Sequence, residues 1–211
     1  INMDSKHKII KVIKLLEKGG YIEEGKLTIK GKIASMLNET NGLVFSELIY
    51  NNYLKNIDID ELIMFLSTYS GLKVKEEYRI ENYKNIDTIS DYLYTLLDTQ
   101  SNINMRYIND ELLEFGNYNK NEYEVNYDLI NIIYSWTSSN NEEECREVLG
   151  KLYNIEVFTG EFVKALLKIN NIVIELEKVA TYIEDIELLY KLSKVKEKTL
   201  KYVASNQSLY L

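Results

Sequence analysis

Of 211 residues, 27% are charged and 45% hydrophobic, an ordinary balance for a globular chain long enough to bury a core. A net charge of −8 excludes nucleic-acid binding by bulk attraction, so any such contact must come from a local patch. One cysteine, Cys145, and one histidine, His7, exclude an internal disulfide, zinc sites built from several of these residues, and triads with any histidine base other than His7.

There is no proline and only 9 glycines, which favours long helices because both residues weaken a helix interior. Ser5 to Lys18 reads as a helix with Ile9, Ile10, Ile13 and Leu16 on one side, stopped by Gly19-Gly20. Tyr21-Ile22 and Leu27-Thr28-Ile29 flank a turn at Glu24-Gly25, the signal of a short hairpin. Gly31 to Asn38 and Leu43 to Leu54 are helical again. Residues 1–35 thus read as a winged-helix-like lead-in, and 36–211 as the C-terminal helical bundle. Asp58 caps the next helix, with Glu61 placed for a capping box.

Ser70 to Glu81 has no clear pattern, Ile86 to Leu97 and Asn104 to Phe115 read as two helices, and Gly116 to Glu122 as a polar loop. Tyr127 to Trp136 is strongly apolar and places Trp136 in the core. Asn140-Asn141 cap a short acidic helix through Lys151, and Asp185 to Ala204 forms one last helix. The fold class is all-α: a helical bundle with one short β-hairpin near its start.

Between those last two helices lies the stretch that organises the chain, Phe158 to Ala180. At 3.6 residues per turn, Phe162, Leu166, Ile169, Val173 and Leu176 share a core-facing stripe. Lys164, Lys168, Asn171, Glu175 and Lys178 step by four, three, four and three along another face. That strip either faces water, as charged helix faces usually do, or grips a phosphate backbone and touches bases.

Catalytic signatures are missing. Gly25 precedes Gly31-Lys32 by a gap of five residues where a phosphate loop has four, and Ile33 stands where a magnesium-binding Ser or Thr belongs. Glu142-Glu143-Glu144 and Asp58-Ile59-Asp60-Glu61 read as helix starts, where carboxylates complement the dipole. No metal site and no catalytic residue is expected in this chain. No apolar run approaches the roughly 20 residues that span a membrane. The chain opens at Ile1 without an initiator methionine, which reads as a piece of a longer protein.

Several motifs in fixed order carry a resemblance. They are Gly20-Tyr21-Ile22-Glu23, Thr28-Ile29-Lys30-Gly31-Lys32-Ile33-Ala34 and Ser46-Glu47-Leu48, then Tyr134-Ser135-Trp136, Thr159-Gly160-Glu161-Phe162-Val163-Lys164 and the terminal Ser208-Leu209-Tyr210-Leu211. Together they resemble the C-terminal helical (DSHCT) domain of the superkiller-type DExH-box RNA helicases that feed RNA to the exosome, the nuclear RNA-surveillance branch above all. Between Tyr69 and Tyr123 the likeness is weak.

In that family the helix opened by the Glu-Gly motif lies along single-stranded RNA and is called the ratchet helix. The resemblance implies RNA contacts at Lys164, Lys168 and Asn171, with Glu47 a further candidate for the channel wall. Lys168 stands at a base-contacting arginine of the family and Asn171 at a nearby glutamate. It also implies packing on the helicase core of the same chain, ATP and Mg bound by the parent protein rather than by this domain, and possible exosome or polyadenylation-complex partners. An intracellular location is expected, with a nuclear one suggested by the same likeness and a cytoplasmic one as its alternative. Alone, the domain is expected to bind RNA poorly and to hydrolyse no ATP.

The departures have chemical content. The family's Arg-Arg pair is Leu167-Lys168, Thr159 replaces a Glu, and Ile174 fills a commonly basic position. Lysine keeps the charge but lacks the planar fork that binds phosphate at two points and stacks on bases. The competing reading is a protein-interaction bundle that docks a partner and touches no RNA. A DNA-binding winged helix using Gly31 to Asn38 is disfavoured, since Lys32 is almost its only donor for base edges.

Overall fold

The computed structural model describes residues 3–87 and 89–202. The terminal Ser208-Leu209-Tyr210-Leu211 motif lies outside the described residues.

Helix α1 (Met3–Lys18) leads into a hairpin of β1 (Ile22–Glu23) and β2 (Lys26–Leu27), antiparallel with Ile22 opposite Leu27. Its turn places Glu24 and Gly25 at φ of 50° and 74°, the left-handed pair that matches strand twist in two-residue turns. Thr28 then caps α2 (Ile29–Ser35) by accepting from the Gly31 N–H. Gly31 has a second constraint, because a Cβ there would meet the Tyr21 carbonyl oxygen at 2.1 Å. The glycine of the Thr-x-Lys-Gly motif is therefore what lets α2 lie against the hairpin.

Asn41 caps α3 (Gly42–Tyr50), which packs on α2, and Asp58 caps α4 (Ile59–Leu66). The Asp58 carboxylate accepts from the Asp60 N–H at 3.2 Å, so the cap is local and the reciprocal Glu61 bond of a capping box is not formed. Short 3-10 turns carry the chain from Ser67 to Asn85.

The two helices expected between Ile86 and Phe115 are one continuous helix, α5 (Asp91–Phe115), capped by Ser90. Its polar middle is held by a buried amide: Gln100 is fully enclosed and donates to the Tyr69 hydroxyl at 2.9 Å and to Thr68 at 3.3 Å. Helix α6 (Ile130–Thr137) is enclosed by α4 and α7 (Glu142–Asn154).

The long helix is α8 (Thr159–Tyr182), followed by α9 (Ile186–Ser193) and α10 (Val195–Thr199). The last two replace the single helix expected from Asp185 onward. The break falls where the Ser193 hydroxyl back-bonds to the Tyr190 carbonyl and the Lys194 N–H turns to the Lys191 carbonyl.

One hydrophobic cluster runs through these elements, from Tyr21 and Ile33 through Phe45, Phe65 and Trp136 to Leu166, Leu176 and Val195. Phe162, Leu166, Ile169, Val173 and Leu176 are all buried, as the stripe requires. Val163, Ala165, Ile172, Val179 and Ala180 are buried too, so α8 is enclosed on more than one side and keeps a single polar margin.

Candidate nucleic-acid interface

The polar margin of α8 is not uniform. Lys164, Asn171 and Lys178 are exposed and have no hydrogen-bond or ion-pair partner among the described residues. Lys168 and Glu175, between them, are half-buried and engaged by the loop joining α2 to α3. The Lys168 ammonium pairs with the Glu39 carboxylate. The Glu175 carboxylate accepts the backbone N–H of Asn38 at 3.0 Å and of Glu39 at 2.8 Å. Both members of the Lys168–Glu39 pair keep about a third of their side-chain surface in solvent, 32% and 34%, so the pair contributes on the order of 0–1 kcal/mol.

Two adjoining cavities run along this margin and share Gly71. One, of about 290 Å³, is lined by Glu39, Thr40, Asn41, Tyr69, Asn126 and Lys168 among others. The next, of about 280 Å³, lies between Lys164, Ala165 and Glu161 of α8 and the Ser70–Lys73 segment. Lysines 73, 164 and 168 face glutamates 39, 122, 124 and 161 across them, and Lys73 pairs with Glu124 at 2.9 Å. The groove is thus close to electrically neutral and rich in amides. It suits hydrogen bonding to an extended polar ligand at a few charged points better than wholesale phosphate attraction.

Three of the four sequence-derived positions, Lys164, Lys168 and Asn171, stand on this one margin, and both lysines line the groove. Glu47 is elsewhere. It is buried on α3, with one carboxylate oxygen 3.3 Å from the Lys30 ammonium and the other on the Arg106 guanidinium. Lys30 also donates to the Gly19 carbonyl at 2.8 Å and stands 4.5 Å from the Tyr21 ring centroid. Neither of two cavities that Glu47 lines shares a residue with the α8 groove: one, of about 610 Å³, lies beside the hairpin, and the other, of about 210 Å³, between α1, α3 and α5. There the Tyr21 and Tyr107 hydroxyls bond to each other, and burial is the main cause that raises both above the usual phenol range, keeping them neutral.

The sequence alone pointed to neither Glu39 nor the loop clamp, because the contacts join positions more than 120 residues apart. Cys145 is fully buried, and desolvation raises its thiol above the ordinary value, which leaves it unreactive. Among the described residues no helix is long and apolar enough to cross a membrane.

Comparison with known proteins bears on the whole chain. The sequence model of the DSHCT (NUC185) domain family matches residues 24–204. The chain is also similar to the DExH-box ATP-dependent RNA helicase DExH9 of Arabidopsis thaliana, 21% identical over 206 residues, covering 94% of this chain. That alignment spans only 19% of the plant protein's own length.

Proposed function

Because this chain belongs to the DSHCT (NUC185) domain family, we propose that it is the non-catalytic C-terminal domain of a DExH-box ATP-dependent RNA helicase, with α8 guiding single-stranded RNA as a ratchet-type helix. ATP and Mg belong to the rest of that protein on this reading. So do the link to exosome-fed or polyadenylation-coupled RNA processing and the intracellular, nuclear setting. The observation that carries the RNA part is that Lys164 and Lys168 line one groove, on a helix margin where Lys164 and Asn171 have no partner among the described residues. Backbone contacts at two lysines hold a strand without reading its sequence, which is what a translocating enzyme needs. Glu47 lines two other cavities, so any strand contact it makes is made there and not beside α8.

The test is the double reversal Lys164→Glu with Lys168→Glu in the full-length protein. RNA affinity should fall, and the dependence of log affinity on log salt should flatten by about 1.4, two contacts at roughly 0.7 each for a single strand. Unchanged affinity and slope would remove α8 from the RNA path.

A separate face favours protein contact. Ile9, Ile10, Val12 and Ile13 of α1 are exposed beside an apolar groove of about 390 Å³ that also takes in Phe115 and Tyr118. An apolar face of this kind marks a docking surface. In the helicase reading the core of the same chain covers it; in the competing reading a separate protein does, and the lysine reversals then leave RNA binding untouched.

A further inference from the structure

The groove already contains an anion. The Glu39 carboxylate occupies the Lys168 ammonium, the position a backbone phosphate would take. It is held there by its own backbone, since Glu175, two turns further along α8, accepts the N–H groups of Asn38 and Glu39. The loop therefore grips α8 twice with opposite polarity: its N–H groups go to a carboxylate, its side chain to an ammonium.

The clamped loop is also incompletely satisfied. The next residue, Thr40, lines the same groove and has its hydroxyl oxygen buried without a hydrogen-bond partner among the described residues. An unpaired buried hydroxyl is a cost, relieved by a rearrangement of the loop that gives it a partner or exposes it to water. A pair that is one-third exposed and carried on such a loop is displaceable, whereas the enclosed Lys30–Glu47 pair is not.

We infer that Glu39 is an internal competitor for the RNA phosphate at Lys168, so that the α2–α3 loop sets how tightly α8 holds each nucleotide. This rests on the RNA reading above and adds to it a determinant of affinity. A strand entering the groove exchanges one carboxylate for one phosphate on the same ammonium. The weakened grip leaves each nucleotide easy to release, as stepping along a strand requires.

The experiment measures binding of a fluorescent oligouridylate to the full-length protein, as wild type, Glu39→Gln and Glu122→Gln, over a series of salt concentrations. Glu122 lines the same groove without pairing to Lys168, so it reports the general effect of removing one negative charge. Glu39→Gln should bind about two- to fivefold tighter, the size of a partly exposed ion pair. Its salt slope should stay close to the wild-type one, because in both proteins the bound strand places one phosphate on Lys168. Unchanged or weaker binding, or an equal gain from Glu122→Gln, overturns the competitor role. The lysine reversals keep the two levels apart. If they abolish binding while Glu39→Gln changes nothing, only the competitor role fails; if they leave binding intact, the RNA reading fails and takes this inference with it.

Discussion

Truncating Trp136 to alanine should destabilise the domain by about 3–5 kcal/mol in chemical denaturation, the range for removing a large enclosed aromatic. Trp136 is completely buried on α6, sets its ring edge-on to Phe162 of α8 at 5.2 Å between centroids, and donates its indole N–H to the Thr199 carbonyl at 2.8 Å. One side chain thus joins α6, α8 and the end of α10. The loss has two parts, a cavity that α8 cannot collapse to fill and a carbonyl left without its donor. Trp136→Phe keeps much of the ring and loses the N–H, so it should cost roughly 1–3 kcal/mol. A Trp136→Ala protein within about 1 kcal/mol of wild type would contradict the packing described.

A loss of similar size is expected from Glu47→Leu, about 3–5 kcal/mol, because it strands the enclosed Lys30 ammonium. Lys30 retains the Gly19 carbonyl and the Tyr21 ring, neither of which supplies a negative charge. Arg106 is over half exposed and returns to water, so Arg106→Ala should cost only on the order of 0–1 kcal/mol. The discriminating variant is the double Glu47→Leu with Lys30→Met. Replacing both ends of a buried pair with apolar groups should recover most of the lost stability. If the double variant is as unstable as the single, the deficit comes from shape and not from stranded charge.

These two sites also show what the sequence could and could not disclose. Trp136 was legible as core because Ile130 and Ile133 stand at helical spacings beside it, and both are fully buried. The two faces of α8 were legible for the same reason, since periodicity over many turns is a local signal. The hairpin followed from the chemistry of Glu24-Gly25. Continuity of α5 was not legible: Asp98 to Asn102 break its apolar pattern, and only the tertiary contacts of Gln100 explain why the helix runs through. The burial of Glu47, named above as a candidate for the channel wall, was not legible, because it depends on Lys30 and on the distant Arg106. The loop clamp on Lys168 and Glu175 was invisible for the same reason, since no local spacing in an Asn-Glu-Thr-Asn turn announces a partner on another helix.

Conversely, the structure adds a reason to read the polar margin as more than a solvated face. A solvated face has no need of a groove, and this one has two adjoining cavities with one lysine of α8 on each. Its near-neutral lining agrees with the overall charge of −8, which leaves recognition to a few placed groups.

The most direct measurement is photocrosslinking of single-stranded RNA to the full-length protein, with the attached peptides identified by mass spectrometry. The account predicts crosslinks on α8 between Lys164 and Lys178 and on the facing Ser70–Lys73 segment. Crosslinks confined to other parts of the protein, with α8 unmodified, would contradict it.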